Sequence, residues 1–213
     1  TLKTIKEWGC ALASASMILQ YHGHNIFPDG LNDWLKLQLD GYIRNSLINW
    51  LAVSRYTFLN KSVSSPALEY KRLNPTDTNL INELENNRPA ILKVPGHFIV
   101  AKSQTSDSFG INDPGYSDRF TLDSYSNTFS ALNTYRPTNT NLSYLLLVLN
   151  YDNNLKVYDP SGNEIVGFTF TEEFLSGETL KIFQYPTPTI GKYRVEITGT
   201  DTPFKLESYF YNQ

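Results

Sequence analysis

Sulfur is scarce in these 213 residues, which contain one cysteine, Cys10, and one methionine. A single cysteine excludes an internal disulfide framework and zinc sites built on paired Cys-x-x-Cys motifs. Histidine is nearly as rare: there are three, none in a His-Glu-x-x-His arrangement, so the sequence carries no metal signature. An excess of charge of one sign is also missing. The net charge is −3 and the Lys and Arg residues are scattered, which leaves no basic face for a phosphate backbone and argues against a nucleic-acid partner. The longest apolar run, Leu145-Leu146-Leu147-Val148-Leu149, is far shorter than the roughly 20 residues of a membrane span and reads as a buried strand. No internal repeat or low-complexity tract occurs. The start at Thr1, without a charged-then-apolar leader, is the expectation for a mature form or a piece of something longer.

What is present falls into two parts. Leu12, Ala15, Ser16 and Leu19 share one helical face and Gly23 stands where a C-terminal cap belongs, so residues 10–22 read as a helix with Cys10 at its N-terminus. Its small residues, from Ala11 to Ser16, suit close approach to a neighbour. Further helices are expected at 31–39, with Leu31, Trp34, Leu35 and Leu39 inward, at 43–55, with Leu47, Trp50 and Leu51 inward, and at 79–87, ended before Pro89. Trp8, Trp34 and Trp50 fit a core. Strands are expected at 90–94, 98–103 and 109–112, with polar turn material at 104–107. Helices first and strands later is the α+β order. The stretch 134–141 is polar and rich in breakers and reads as the approach to a linker, placed at 137–141 between a domain at 1–136 and another at 142–213. The second domain shows short strands at 144–151, 155–158, 164–170, 179–185, 193–198 and 204–211, the pattern of a small all-β sandwich.

Cys10 raises a question of chemistry. A thiol at a helix N-terminus meets the positive end of the helix dipole and free backbone N–H groups; both favour thiolate, and the same N–H groups can hold an oxyanion. The plain alternative is a small buried hydrophobe. His97 opens the apolar segment Phe98-Ile99-Val100-Ala101 after Gly96, a residue that leaves room for close approach. A hairpin loop centred on Thr105 would set His97 directly opposite Asp113, close enough for the carboxylate to orient the ring; Asn112 is the fallback partner if the register slips. Taken singly, His97 can cap a strand and Asp113 can open the Asp-Pro-Gly turn. Taken together, the three point to a nucleophile, a base and a ring-orienting carboxylate. His22 and His24, beside Gly23, are accounted for by the C-terminal dipole of the first helix.

These residues resemble the C39-like branch of the papain-like cysteine peptidases. The likeness lies in Gly9-Cys10-Ala11-Leu12-Ala13-Ser14-Ala15-Ser16-Met17, Gly96-His97-Phe98-Ile99-Val100 and Asn112-Asp113-Pro114-Gly115, with Leu31-Asn32-Asp33-Trp34-Leu35 and Gly41-Tyr42-Ile43 similar to bacterial members, over roughly residues 1–136. The resemblance implies a papain-like α+β domain that hydrolyses peptide or amide bonds of a peptide or protein substrate through an acyl-enzyme. In it Cys10 attacks, His97 carries the proton and Asp113 holds the ring. It also implies a glutamine upstream of the cysteine to complete the oxyanion hole. No residue from Thr1 to Gly9 is glutamine, so either it precedes Thr1 or part of the machinery is lost, with Lys3, Thr4 and Lys6 as candidate substitutes; loss of such a donor costs about 3 kcal/mol. Tyr158-Asp159-Pro160-Ser161-Gly162 and residues 188–197 are similar to the β-sandwich modules that follow secreted bacterial peptidases. This implies a secreted or cell-surface setting and a surface or cell-wall ligand for the second domain. The alternatives to a general peptidase are a cell-wall peptide amidase or endopeptidase and an inactive papain-like scaffold.

Overall fold

The computed structural model describes residues 5–150, 153–173, 179–199 and 203–213, with the backbone alone at 5–8 and 173. Helix α1 (Ile5–Tyr21) ends as its sequence requires: Gly23 takes φ +86°, and the His24 N–H reaches back to the Leu19 carbonyl at 2.9 Å. A side chain at Gly23 would also strike the Ser64 carbonyl oxygen. The inward stripe of α1 is as expected, with Leu12, Ala15, Ser16 and Leu19 buried. Helix α2 (Pro28–Lys36) starts on a proline at its first position and buries Leu31 and Leu35. Trp34 is half-buried, whereas Leu39 lies beyond the helix end and is fully exposed.

The helix expected at 43–55 is two elements. A short hairpin, β1 (Tyr42–Ile43) and β2 (Leu47–Ile48), turns through Arg44 and Asn45 at positive φ (50° and 56°), and helix α3 (Trp50–Leu59) follows, capped by the Asn49 side chain on the Leu51 N–H. The cap and the left-handed turn override the apolar spacing that suggested a continuous helix. After it come β3 (Leu68–Leu73), α4 (Asp77–Glu85, capped by Thr76), β4 (Ala90–Val94), β5 (His97–Gln104), β6 (Phe109–Asn112), a 3-10 turn (Leu122–Tyr125) and β7 (Ala131–Pro137). The sheet of the first unit runs in the order β3-β7-β4-β5-β6, all neighbours antiparallel. Leu92, Val94, Ile99, Ala101, Ile111 and Leu132 share an apolar cluster with Leu80 of α4, and α1 packs against β4 and β5.

Residues 134–136, expected at the approach to a linker, lie inside β7, between β3 and β4. Their polarity is satisfied from distant elements rather than from water. The Thr134 hydroxyl donates to Glu83 Oε2 (2.8 Å), Arg136 pairs with Glu83 Oε1 (2.6 Å), Arg88 pairs with the same carboxylate (2.7 Å), and the Tyr135 hydroxyl donates to the Trp50 carbonyl (2.9 Å). The Glu83 side chain is fully buried. Burial pushes its carboxyl up, but donors from Arg88, Arg136 and Thr134 overcome this and bring it down to about 2.

The chain divides into two compact units, Thr1–Gly41 with Ile48–Thr140, and Tyr42–Leu47 with Asn141–Gln213. The first run of the chain is therefore interrupted, because the 42–47 hairpin groups with the C-terminal residues. There, Arg44 pairs with Glu207 (3.3 Å), donates to Asn150 Oδ1 (3.2 Å), and its backbone N–H meets the Tyr209 hydroxyl. The second unit adds β8 (Tyr144–Asn150), β9 (Asn154–Tyr158), β10 (Phe168–Glu173), β11 (Thr179–Pro186), β12 (Arg194–Thr198) and β13 (Leu206–Tyr211). These form a four-stranded sheet, β10-β11-β8-β13, and a pair, β12-β9. Leu145, Leu147 and Phe183 of the larger sheet pack with Val157 of the smaller. The strand expected at 164–170 starts later, at Phe168, and the last residue of the one expected at 144–151 lies outside the described residues. No helix of the described residues is long and apolar enough to cross a membrane.

Two consequences follow for stability. Glu83→Ala leaves two guanidinium groups and Thr134 facing an empty site; since both arginines reach solvent, the loss should be about 3 kcal/mol, at the low end for a buried pair, read by urea unfolding. His22 is pushed down to about 4, first by burial and then by His24, against a hydrogen bond that the ring donates to the Tyr135 backbone carbonyl, and its buried Nε2 has no partner among the described residues. It is thus held neutral by its surroundings rather than favoured as a cation by the helix dipole. Below about pH 6.5 the unfolded state takes up a proton that the folded state refuses until about pH 4, so this contribution falls as acid is added. His22→Leu should flatten the stability profile across that window, measured by denaturant midpoints at each pH.

Candidate active site

Cys10 lies within α1, not at its start. The preceding Ile-Lys-Glu-Trp segment contains no breaker, and the helix continues through Gly9 despite that residue's cost of about 1 kcal/mol. Cys10 is therefore past the first four residues, whose N–H groups are free, and past the first turn, where the dipole acts. The expected source of thiolate stabilisation is replaced by another. Burial pushes the thiol up, but a hydrogen bond with the His97 ring and backbone N–H groups of Phe98 and Ala11 outweigh it, leaving the thiol below its ordinary value. The cysteine is free and half-buried.

His97 opens β5 after a two-residue turn, Pro95-Gly96, with Gly96 at φ +68°. Nothing lies within 4 Å of a Cβ built at Gly96, so this glycine serves the turn and not a close approach. The hairpin to β6 differs from a loop centred on Thr105. Its loop is closed by Thr105 N–H to the Ser108 carbonyl at 2.9 Å, the outer pairs are Gln104 with Phe109 and Ser103 with Gly110, and a bulge between Ala101 and Ser103 resets the inner pairs to Ala101 with Ile111 and Val100 with Asn112. Continued inward, this register sets His97 against Gly115, so Asp113 is its diagonal neighbour on the same face. Gly115 is indeed close: a Cβ there would lie 3.0 Å from His97 Cε1.

The diagonal contact is a strong one. His97 Nε2 lies 2.7 Å from Asp113 Oδ1, with the aspartate side chain fully buried. The same oxygen accepts the Gly115 N–H (2.8 Å) and the Tyr116 N–H (3.1 Å), and Oδ2 accepts the Tyr125 hydroxyl. Burial alone would raise the Asp113 carboxyl, but Tyr125, His97 and Gly115 bring it below its ordinary value. Burial likewise pushes His97 down, and its bonds to Cys10 and Asp113 reverse this and leave it raised. With Nε2 on Asp113, Nδ1 is the nitrogen left to meet sulfur. Both shifts, thiol down and imidazole up, run toward a thiolate–imidazolium pair.

Asn112 is elsewhere: its Oδ1 accepts from Lys102 at 2.6 Å. Lys3, Thr4 and the Lys6 and Trp8 side chains lie outside the described residues. Sequence reasoning missed Gly115, Tyr116, Arg119 and Tyr125. The Tyr116 ring meets His97 edge-on at 5.8 Å and the Tyr125 ring lies near-parallel to it at 6.3 Å; neither follows from a strand or helix period. Among the described residues no group of three or more His, Cys, Asp or Glu side chains could hold a metal ion.

The structure brings the Cys10 thiol, the His97 imidazole and the Asp113 carboxylate together. The family model for the Peptidase_C39 like family matches residues 3–143. The chain belongs to that family. This C39-like chain is accordingly of the cysteine-peptidase type, with a mixed α+β fold for the matched part. No curated protein matches it.

The site predicts a pH dependence. Because the Cys10 thiol is lowered, iodoacetamide should alkylate it at neutral pH faster than an ordinary thiol. His97→Ala removes the hydrogen bond and the charge that lower it while burial, which raises it, remains. The midpoint of the rate–pH profile should move to higher pH and the rate at pH 7 should drop about tenfold or more, followed by mass spectrometry.

Proposed function

We propose that the chain is a cysteine peptidase that cleaves a peptide bond of a peptide or protein substrate through Cys10, His97 and Asp113. The observation that carries this reading is the His97 ring, whose Nε2 lies 2.7 Å from the buried Asp113 carboxylate and which lies close enough to Cys10 to lower its thiol. Cys10 Sγ attacks the scissile carbonyl carbon and the carbonyl oxygen takes the negative charge. On collapse the C–N bond breaks, and the proton on His97 Nδ1 passes to the leaving amine, giving a thioester. Water then attacks the thioester carbonyl while His97 accepts its proton, and the proton returns to the sulfur as the acid leaves. Asp113, accepting from Nε2–H throughout, fixes the ring and favours its charged form. The reaction needs no cofactor.

The second unit we read as a β-sandwich module carrying a cell-surface or cell-wall ligand, on a protein that is secreted or held at the cell surface. Support comes from the two sheets packed through Leu145, Leu147, Val157 and Phe183 and from the motif likeness to modules of secreted peptidases. Sedimentation with purified bacterial cell walls should carry the protein down; recovery in the supernatant alone would contradict this.

Cys10→Ala should abolish hydrolysis of a casein or mixed-peptide substrate, and Asp113→Ala should lower kcat/KM by about 10²–10⁴ while leaving the fold intact by circular dichroism. Cleavage of purified peptidoglycan with casein untouched would redirect the reading to a cell-wall peptide enzyme. A wild-type chain whose Cys10 alkylates rapidly yet turns over neither substrate would make it a scaffold.

A further inference from the structure

The hydrogen-bonded chain does not end at Asp113. Tyr125 closes the 3-10 turn, which β6 and the core hold in place: the Ile111 N–H donates to the Phe120 carbonyl at 2.8 Å, Gly110 bridges Thr121, and Leu122 is fully buried in the apolar cluster against which Tyr125 packs. The Tyr125 hydroxyl is the partner of Asp113 Oδ2 among the described residues. Behind it, the Arg119 guanidinium carbon lies 5.0 Å from the centre of the Tyr125 ring and 3.6 Å from that of Tyr116. Arg119 thus lies over both tyrosine rings and adds positive charge on the Asp113 side of the site.

We propose that Tyr125 is a positioning residue that locks the Asp113 carboxylate with Oδ1 toward His97. The inference rests on reading Cys10, His97 and Asp113 as the reacting groups. A carboxylate rotates about its Cα–Cβ and Cβ–Cγ bonds, and this one is buried. Without the hydroxyl, Oδ2 loses its donor, and the carboxylate turns toward water or takes up a proton. Either outcome loosens the ring and weakens the hold on imidazolium, so the thiol gives up its proton less readily. Tyr125→Phe deletes the hydroxyl and keeps the ring that faces His97.

The test is a double-mutant cycle read by the pH dependence of Cys10 alkylation with iodoacetamide. Tyr125→Phe should slow alkylation about tenfold at about pH 6–7, with rates converging above about pH 9, where the thiol ionises without help. In an Asp113→Ala background the same change should alter the rate by less than about twofold, because the residue it acts through is gone. In peptide hydrolysis kcat should fall about tenfold with KM nearly constant. A wild-type profile for Tyr125→Phe, a slowing of equal size at every pH, or a full effect in the Asp113→Ala background would each overturn the proposal. If the wild-type chain hydrolyses nothing while the alkylation cycle runs as described, Tyr125 keeps its positioning role and the peptidase reading fails instead.

Discussion

Side chains on a strand alternate with a period of two, and the site depends on one extra residue that corrects this alternation. With the outer pairing of β5 and β6 carried on unchanged, His97 would face Tyr116, and Asn112 rather than Asp113 would share its face. The bulge at Lys102 restores parity. It is accommodated by Gly110, where a Cβ would lie 2.4 Å from the Ser103 hydroxyl. Asp113 then falls just past the end of β6, where it opens a turn and gathers the Gly115 and Tyr116 N–H groups on one oxygen. The turn that would otherwise be a loop's ordinary beginning becomes the cradle of a buried carboxylate.

The thiol is governed by the same hairpin. Helix α1 supplies the sulfur from its interior, so the field of a helix end is not what lowers it. What acts instead comes from the first residues of β5, the His97 ring and the Phe98 N–H, working against the cost of burial. The lowering of the Cys10 thiol therefore depends on how closely α1 and β5 pack, which the small residues of α1 permit. Burial appears on both sides of the balance: it penalises every charged member of the chain singly, and it strengthens the hydrogen bonds that join them.

Much of this was legible before the structure, and the misses have physical causes. Cys10, His97 and Asp113 could be picked out because each is a chemically committed residue beside a glycine or proline that marks a boundary. The register between the strands could not, since Gly110 within a strand does not say which residue of its partner is the extra one. Residues 134–136 read as an approach to a linker because their polarity was judged locally, whereas Thr134 and Arg136 meet Glu83 and Tyr135 meets the Trp50 carbonyl, each far away in sequence. The 43–55 stretch read as one helix because apolar spacing ignores Asn49, whose side chain starts the helix later. Tyr125 and Arg119 act from a loop, where periodicity carries no information.

The central claim, that sulfur, imidazole and carboxylate form one coupled unit, is tested most directly by ¹⁵N NMR of the His97 ring as a function of pH. The account predicts a ring that titrates above an ordinary histidine in the free protein, with a deshielded Nε2–H, and whose midpoint falls in Cys10→Ala and falls again in Asp113→Ala. A ring that titrates as an ordinary histidine and is indifferent to both substitutions would contradict it.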